Sequence, residues 1–230
     1  MGEKKKKEES QKKWKKILFV IAAVLFVVVM VISSMGMNWI SGLAPVRPGD
    51  QVLIDFTMYN SAGTPFITTS QQLYKQQYSS GKGIMYAKPL TLTANQSLKQ
   101  VIYPVQVYVA ENGGSWEEFA LYNAEYNALS NGVVGMRANE KKTVLFSSAS
   151  SMSAFFSPEE MASAHVNITT LEVGDSLAMG VSETPNATAS NVSTVSYIRL
   201  GEITRKSPQG VVVDFGYPSA EITVNSFTSR

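Results

Sequence analysis

The pattern of apolar and polar positions separates one long apolar run near the N-terminus from a series of shorter alternating segments. Residues 17–32 contain no polar side chain, and extending the run to Ile40 gives 24 residues. As an α-helix at about 1.5 Å per residue, that run is about 36 Å long and crosses a bilayer with some tilt. Trp14 and Trp39 flank it, as an aromatic belt would. The pattern therefore predicts a transmembrane helix over residues 17–40.

The charges before this helix predict its orientation. Eight lysines and three glutamates lie in the first sixteen residues. By the positive-inside rule, residues 1–16 form a basic cytoplasmic tail, and the chain after Ile40 is extracytoplasmic. A cleaved signal peptide is the alternative, but the apolar run is longer than a usual signal core of about 7–15 residues. Residues 33–35 are also a poor cleavage site, and residues 41–47 are interpreted as a linker.

Beyond the linker, the spacing of apolar residues predicts a strand. Residues 48–50 form a turn of Pro, Gly and Asp. The segment 51–59 then alternates, with one face made of Val52, Ile54, Phe56 and Met58. This period of two is typical of a half-buried strand.

A short helix followed by a strand is predicted over residues 124–146. Tyr126, Leu129 and Val133 are spaced to give one apolar helix side. Gly132 costs about 1 kcal/mol relative to Ala inside a helix, so its presence indicates that another backbone passes close by. A polar turn follows, and residues 141–146 have the composition of a strand.

Two neighbouring segments give weaker patterns. Residues 115–118 (SWEE) match a capping box and predict that the helix starts there, with Trp116 packed in the core. Residues 68–114 are rich in Gln, Tyr and Ser before an apolar stretch at 101–110. They are interpreted as an elaborated loop with one added strand.

Composition excludes several classes of site. The chain has no cysteine and a single histidine, His165. A disulfide framework, a thiolate site and a multi-histidine metal centre are therefore excluded. After residue 16 the chain has 12 basic and 15 acidic residues, a net charge of −3. Such a body has no basic face of the kind that binds nucleic acid.

Three segments resemble the FKBP-type peptidyl-prolyl isomerases. The first matches the family string L-x-x-G-x-x-G-M-x-x-G-E-K-x-x-V at Leu129, Gly132, Gly135, Met136, Glu140, Lys141 and Val144. Asn139 stands where the family has glycine. The second segment, residues 46–66, is similar to the family's opening strands. The third, VVVDFGYPSAEITV at 211–224, is similar to the closing strand of the SlyD-type members.

This resemblance implies an α+β fold in which an antiparallel sheet wraps a short helix. The FKBP-like domain would comprise residues 48–149 and 214–230, with the insertion at about 68–114. Residues 150–213 resemble the inserted, mostly-β flap domain of the SlyD-type proteins. The N-terminal transmembrane helix would precede both.

The resemblance also implies a substrate cleft. Prolyl isomerisation needs no acid, base, metal or cofactor, because an apolar cleft that binds the twisted amide lowers the barrier by differential binding. Seven residues fall at or near the family's cleft positions, with the Tyr126 backbone as a hydrogen-bond donor: Phe56, Phe66, Ile67, Tyr126, Leu129, Tyr217 and Phe227. Ile67 replaces the family's aspartate, and the family's loop tyrosine after residue 146 has no counterpart.

The sequence is therefore compatible with two hypotheses about the function. In the first, the protein is a membrane-tethered isomerase and folding chaperone that binds unfolded or proline-containing polypeptides. In the second, the site has decayed, and the FKBP-like module is a binding or structural protein at the cell surface. Four Asn-x-Ser/Thr sequons are weak support for an extracytoplasmic location: Asn95, Asn167, Asn186 and Asn191.

Overall fold

The apolar N-terminal run forms part of one long helix, α1 (Glu3–Ser34). The computed structural model describes residues 3–34, 44–110, 114–147, 152–182 and 197–229. Within α1, the segment Trp14–Val31 is long and apolar enough to cross a bilayer, and none of it is buried. The predicted helix of membrane-spanning length is thus confirmed, whereas its orientation stays a prediction. Residues 35–40, the end of the predicted span, lie outside the described residues.

Pro45–Arg230 form a second compact unit. Its described residues contain three helices, α2 (Gln71–Ser79), α3 (Asn123–Gly132) and α4 (Pro158–Ser163). They also contain twelve strands: β1 (Gln51–Tyr59), β2 (Pro65–Thr68), β3 (Met85–Ala87), β4 (Leu90–Thr93), β5 (Ile102–Val109), β6 (Ser115–Tyr122), β7 (Lys141–Leu145), β8 (Ser153–Phe156), β9 (Ser176–Val181), β10 (Tyr197–Ser207), β11 (Gly210–Asp214) and β12 (Ser219–Thr228). The predicted α+β class is confirmed.

The strands form one sheet with the order β7-β12-β1-β2-β3-β5-β6-β10-β11-β8, while β4 pairs with β1 and β9 pairs with β10. Most pairs are antiparallel; β2–β3 and β6–β10 are parallel. Strand β1 is central, and its predicted apolar face is at most 2% exposed. The period of two along this strand therefore identified a true core face.

The predicted short helix is α3. Tyr126 and Leu129 on its apolar side are buried, and Val133 follows directly as the C-cap. A Cβ atom at Gly132 would lie 2.6 Å from Cγ2 of Val144 on β7. The neighbour of Gly132 is therefore a valine side chain and not the expected backbone. Asn139 has φ of 63°, the left-handed conformation that glycine also adopts.

The predicted helix start at residues 115–118 is wrong. Those residues belong to strand β6, which pairs with β5 along its whole length. The helix begins eight residues later, where Glu125 accepts a hydrogen bond of 3.0 Å from the Tyr122 backbone N–H. Eight paired positions with β5 outweigh a local capping pattern. Trp116, expected in the core, is 47% exposed.

The interpretation of residues 68–114 as a loop with one added strand is also wrong. The segment forms helix α2 and strands β3, β4 and β5. Apolar residues on these strands belong to the main hydrophobic cluster, including Met85, Leu92 and Val107. Strands of three or four residues are too short to show a period in the sequence, which is why the pattern missed them.

The region 150–213 contains helix α4 and contributes β8, β9, β10 and most of β11 to the same sheet. It has a second hydrophobic cluster built on Met161, Leu177, Ile203, Val211, Val213 and Phe215. Strand β10 reaches both clusters, because Leu200 belongs to the main cluster and Ile203 to the second.

The compact unit Pro45–Arg230, called the body below, begins before the end of the predicted linker. Val46 is 2% exposed. Its backbone N–H donates to the Met136 carbonyl at 2.7 Å, and its carbonyl accepts from Gly135 N–H at 2.9 Å. Both clusters lie within residues 45–230, so a fragment of these residues contains its complete core.

Candidate functional site

The residues that the resemblance assigns to a substrate cleft lie in the core. Phe56 and Phe66 are 2% exposed, and Ile67, Leu129 and Tyr217 are fully buried. Tyr126 is also buried, and Phe227 is partly buried against the main cluster. The side chains assigned to the cleft are therefore packing residues in this structure.

Tyr217 explains why no aromatic cleft is open at Phe66. The ring of Tyr217 contacts Phe66 edge-on at 6.1 Å between centroids and stacks on Phe119 at 6.0 Å. Its hydroxyl donates a 2.6 Å hydrogen bond to the Leu200 carbonyl. The chain's own tyrosine thus occupies the space beside Phe66. Tyr126 packs elsewhere, 4.9 Å from Tyr103.

Sequence reasoning missed a buried ion pair between β10 and α3. Arg199 is fully buried, and Glu125 is 1% exposed. The guanidinium donates to both carboxylate oxygens, at 2.5 Å and 3.0 Å. It also donates to the carbonyls of Ala120 at 2.7 Å and Phe215 at 2.9 Å. Each of the three guanidinium nitrogens of Arg199 therefore donates a hydrogen bond, as a buried charge requires.

Aromatic rings surround the guanidinium. Its central carbon lies 4.3 Å from the Tyr217 ring centroid and 4.6 Å from that of Tyr122. Burial by itself lowers the pKa of Arg199, but the Glu125 carboxylate reverses this, so the pKa lies above its usual value. Burial raises the pKa of Tyr217, which stays neutral. Arg199 and Glu125 thus form a charged pair with a fixed position in the core. Their hydrogen bonds hold β10 to the elements around it.

No sequence signal predicts this pair. The two residues are 74 positions apart, and each has an ordinary local explanation. Glu125 occupies the first turn of a helix, where acidic residues are common, and Arg199 lies in strand β10.

The cavities on the described surface of the body include three with volumes from about 260 to 370 Å³. The first, about 370 Å³, is lined by apolar residues of several strands, including Met85, Val109 and Ala178, and by Tyr78 of α2. The second, about 350 Å³, is polar and lies between Asp55–Thr57 and Lys141. The third, about 260 Å³, includes Glu202. Phe56 borders the second and Phe66 the third, and no cavity named here is lined by both.

The third cavity has an acidic wall. The Glu202 carboxylate accepts a 2.5 Å hydrogen bond from the Asn60 side-chain amide. Burial, and then the nearby charge of Asp214, raise the pKa of Glu202. Among the described residues, no group of three His, Cys, Asp or Glu side chains is arranged to hold a metal ion.

Two of the four sequons lie in the described part of the chain. Asn95 is exposed in a turn with φ of 58°. Asn167 is also exposed, and its side-chain oxygen accepts hydrogen bonds from the Thr169 backbone N–H at 3.0 Å and hydroxyl at 2.7 Å. Asn186 and Asn191 lie outside the described residues.

Comparison with known proteins does not assign the chain to a family. No protein-family model matches the chain, and no curated protein matches it.

The raised pKa of Tyr217 predicts a loss of stability in alkali. In the unfolded chain a tyrosine ionises near pH 10, whereas the buried phenol keeps its proton to higher pH. Above about pH 10 the unfolded state therefore binds fewer protons, and the free energy of unfolding falls by about 1.4 kcal/mol per pH unit for this one group.

Urea denaturation of the 45–230 fragment at several pH values from 8 to 11 measures this slope. Tyr217→Phe should flatten it, while other tyrosines contribute equally to both proteins. An identical slope in the two proteins would contradict the assignment.

Proposed function

We propose that the chain is a single-pass, membrane-anchored FKBP-like module that binds a partner at the cell surface and does not catalyse prolyl isomerisation. The observation that carries the proposal is the burial of Phe56, Phe66 and Tyr217, at 2%, 2% and 0% exposure. A catalytic cleft must present such rings to the substrate.

Several features support the FKBP-like part of the proposal. The segments that resemble the family include three adjacent strands, β7, β12 and β1. Helix α3 packs against β7, where Gly132 allows the approach of Val144. The turn between them has left-handed conformations at Gly135 and Asn139, and the family's string has glycine at both positions.

The proposed lack of catalysis rests on the way in which an isomerase accelerates the reaction. The enzyme must bind the twisted peptide more tightly than the planar one, through apolar contacts with the prolyl ring. Here the Phe66 ring packs against Tyr217, which in turn stacks on Phe119 in the core. Phe66 is 2% exposed where it borders the third cavity, and the ring of Tyr217, held by its hydrogen bond to Leu200, packs edge-on against it.

The anchor supports a location at a membrane surface. Helix α1 contains an apolar segment of membrane-spanning length. The lysine-rich residues before it favour an extracytoplasmic body, by the positive-inside rule. The competing hypothesis is an active isomerase and chaperone for unfolded or proline-containing polypeptides.

A prolyl-isomerase assay separates the two hypotheses. The 45–230 fragment should leave the relaxation of an X-Pro peptide at its uncatalysed rate, on the order of tens of seconds at 25 °C. An active FKBP-type enzyme, assayed in parallel, shows that acceleration is detectable. Acceleration in proportion to fragment concentration would refute the proposal.

A second measurement tests the chaperone hypothesis. The fragment is mixed with an unfolded client, and light scattering follows aggregation. The proposal predicts the same scattering as with an inert protein of equal size. Suppression at stoichiometric concentration would favour the chaperone function instead.

A further inference from the structure

Three aromatic residues lie side by side across strands β3, β5 and β6. The strand registers pair Tyr86 with Tyr108 and Tyr108 with Trp116. The Trp116 ring centroid lies 5.8 Å from that of Tyr108 and 6.3 Å from that of Tyr86. We call Tyr86, Tyr108 and Trp116 the aromatic ladder. Trp116 is 47% exposed, so the ladder faces solvent at its β6 end.

Helix α2 extends the ladder at its other end. Tyr74 lies 5.7 Å from Tyr86 and 6.5 Å from Tyr108 between ring centroids. Tyr78 stacks on Tyr74 at 5.8 Å and is 53% exposed. No residue of α2 is buried. The helix and the ladder thus form one partly exposed aromatic surface.

A row of polar side chains lies beside the ladder. Each of its members is two residues along the chain from one residue of the ladder. Lys88, Gln106 and Glu118 form this polar row. The Gln106 side-chain amide donates to Glu118 at 3.4 Å, and the Lys88 ammonium lies 4.7 Å from the Trp116 ring centroid. The row offers ammonium and amide donors together with amide and carboxylate acceptors.

Core packing does not account for this surface. The interior of β6 is filled by Phe119 and Leu121, which are fully buried, whereas Trp116 leaves nearly half of its area in water. Tryptophan and tyrosine exposed together on one face are typical of binding surfaces, where a few such residues supply most of the affinity.

Charge and hydrogen bonding select the kind of ligand. The polar row has one positive and one negative side chain, and the body has a net charge of −3, so a polyanion such as nucleic acid is disfavoured. The row offers both donors and acceptors, as a ligand rich in hydroxyl groups needs. Pyranose rings combine such hydroxyls with C–H faces that pack on aromatic rings.

The dimensions are also suitable. Neighbouring strands are about 4.8 Å apart, so three strands span roughly 10 Å, about the length of two pyranose rings. A proline-rich peptide also docks on exposed aromatic rings, but its prolines carry no N–H to donate to the Glu118 carboxylate, whereas a ring hydroxyl can donate to it.

We propose that the aromatic ladder and its polar row bind a neutral saccharide chain of the cell surface. The sugar faces would stack on Trp116 and Tyr108, while the ring hydroxyls hydrogen-bond with Gln106, Glu118 and Lys88. This rests on the proposed function, since it names the partner of the binding module.

Trp116 makes a direct test available. It is the only tryptophan of the 45–230 fragment, because the other two are Trp14 and Trp39. The fragment is titrated with hexasaccharides of β-1,4-linked glucose, β-1,4-linked N-acetylglucosamine and α-1,6-linked mannose, and the indole emission is recorded. At least one should give a saturable change. Calorimetry with the same sugar should show affinity lowered about tenfold or more in Trp116→Ala.

Control variants define the surface. Tyr78→Ala and Glu118→Gln should each weaken binding several-fold. Phe155→Ala removes an equally exposed aromatic residue, at 54%, from strand β8, and should leave affinity unchanged. Circular dichroism verifies that each variant is folded.

Three results would overturn the inference: no response to any of the sugars, unchanged affinity in Trp116→Ala, or saturable binding of a proline-rich decapeptide or anionic vesicles in place of sugar. Isomerase activity, in contrast, would overturn the proposed function and leave the sugar titration to be judged by itself.

Discussion

Replacing Arg199 with methionine should lower the free energy of unfolding of the 45–230 fragment by about 3–5 kcal/mol. The substitution leaves the Glu125 carboxylate 1% exposed with its cationic partner removed. It also removes the donors to the carbonyls of Ala120 and Phe215. Urea denaturation, followed by circular dichroism, measures the change. Since small domains are stable by only about 5–15 kcal/mol, the variant should be close to unfolding at 37 °C.

The paired substitution separates the charge from its surroundings. Arg199→Met combined with Glu125→Gln should cost less than the sum of the two single changes, because no uncompensated charge remains. The exposed pair of Lys141 and Glu221, 3.3 Å apart, is the matched control. Lys141→Met should change stability by about 1 kcal/mol or less. Equal effects at the buried and exposed pairs would contradict this account.

Phe66→Ala should also destabilise the fragment by about 3–5 kcal/mol, the usual cost of truncating a buried phenylalanine. The ring fills the core beside Tyr217, and its removal leaves a cavity that β2, paired on both sides, cannot close. Phe155→Ala on β8, where the ring is 54% exposed, should cost much less.

The same variant distinguishes a core residue from a wall of a substrate cleft. A cleft residue exposed to substrate would lose peptide binding while retaining most of its stability. If Phe66→Ala is as stable as the wild type by urea denaturation, Phe66 is not the core residue described here.

The sequence predicted the elements with long, regular periods. The apolar run predicted α1, the alternation along residues 51–59 predicted β1, and the spacing of Tyr126 and Leu129 predicted α3. In each case one face of the element is either wholly apolar or wholly buried, so the local pattern and the tertiary environment agree.

Elements whose structure depends on residues far away in the sequence could not be predicted. Strand β6 begins with a helix-capping pattern, yet pairing with β5 fixes it as a strand. Strands β3 and β4, of three and four residues, show too few positions for a period. The Arg199–Glu125 pair depends on two elements meeting in space, which a single sequence does not record.

The candidate site shows a related limit. The resemblance selected Phe56 and Phe66 from their places in a motif, but a motif does not specify what lies over them. Tyr217 packs against Phe66 and takes up the space. The aromatic ladder was missed because its three members come from different strands, and only strand register brings them together.

Strand β10 limits how the region 150–213 can move. Its residues reach both hydrophobic clusters, and Arg199 near its N-terminal end is bound to helix α3. A hinge that let this region swing as a rigid arm would have to break the strand or pull a charged guanidinium out of the protein interior. The described residues of this region, 152–182 and 197–213, are therefore held against the rest of the sheet, and a ligand meets a surface that is already formed.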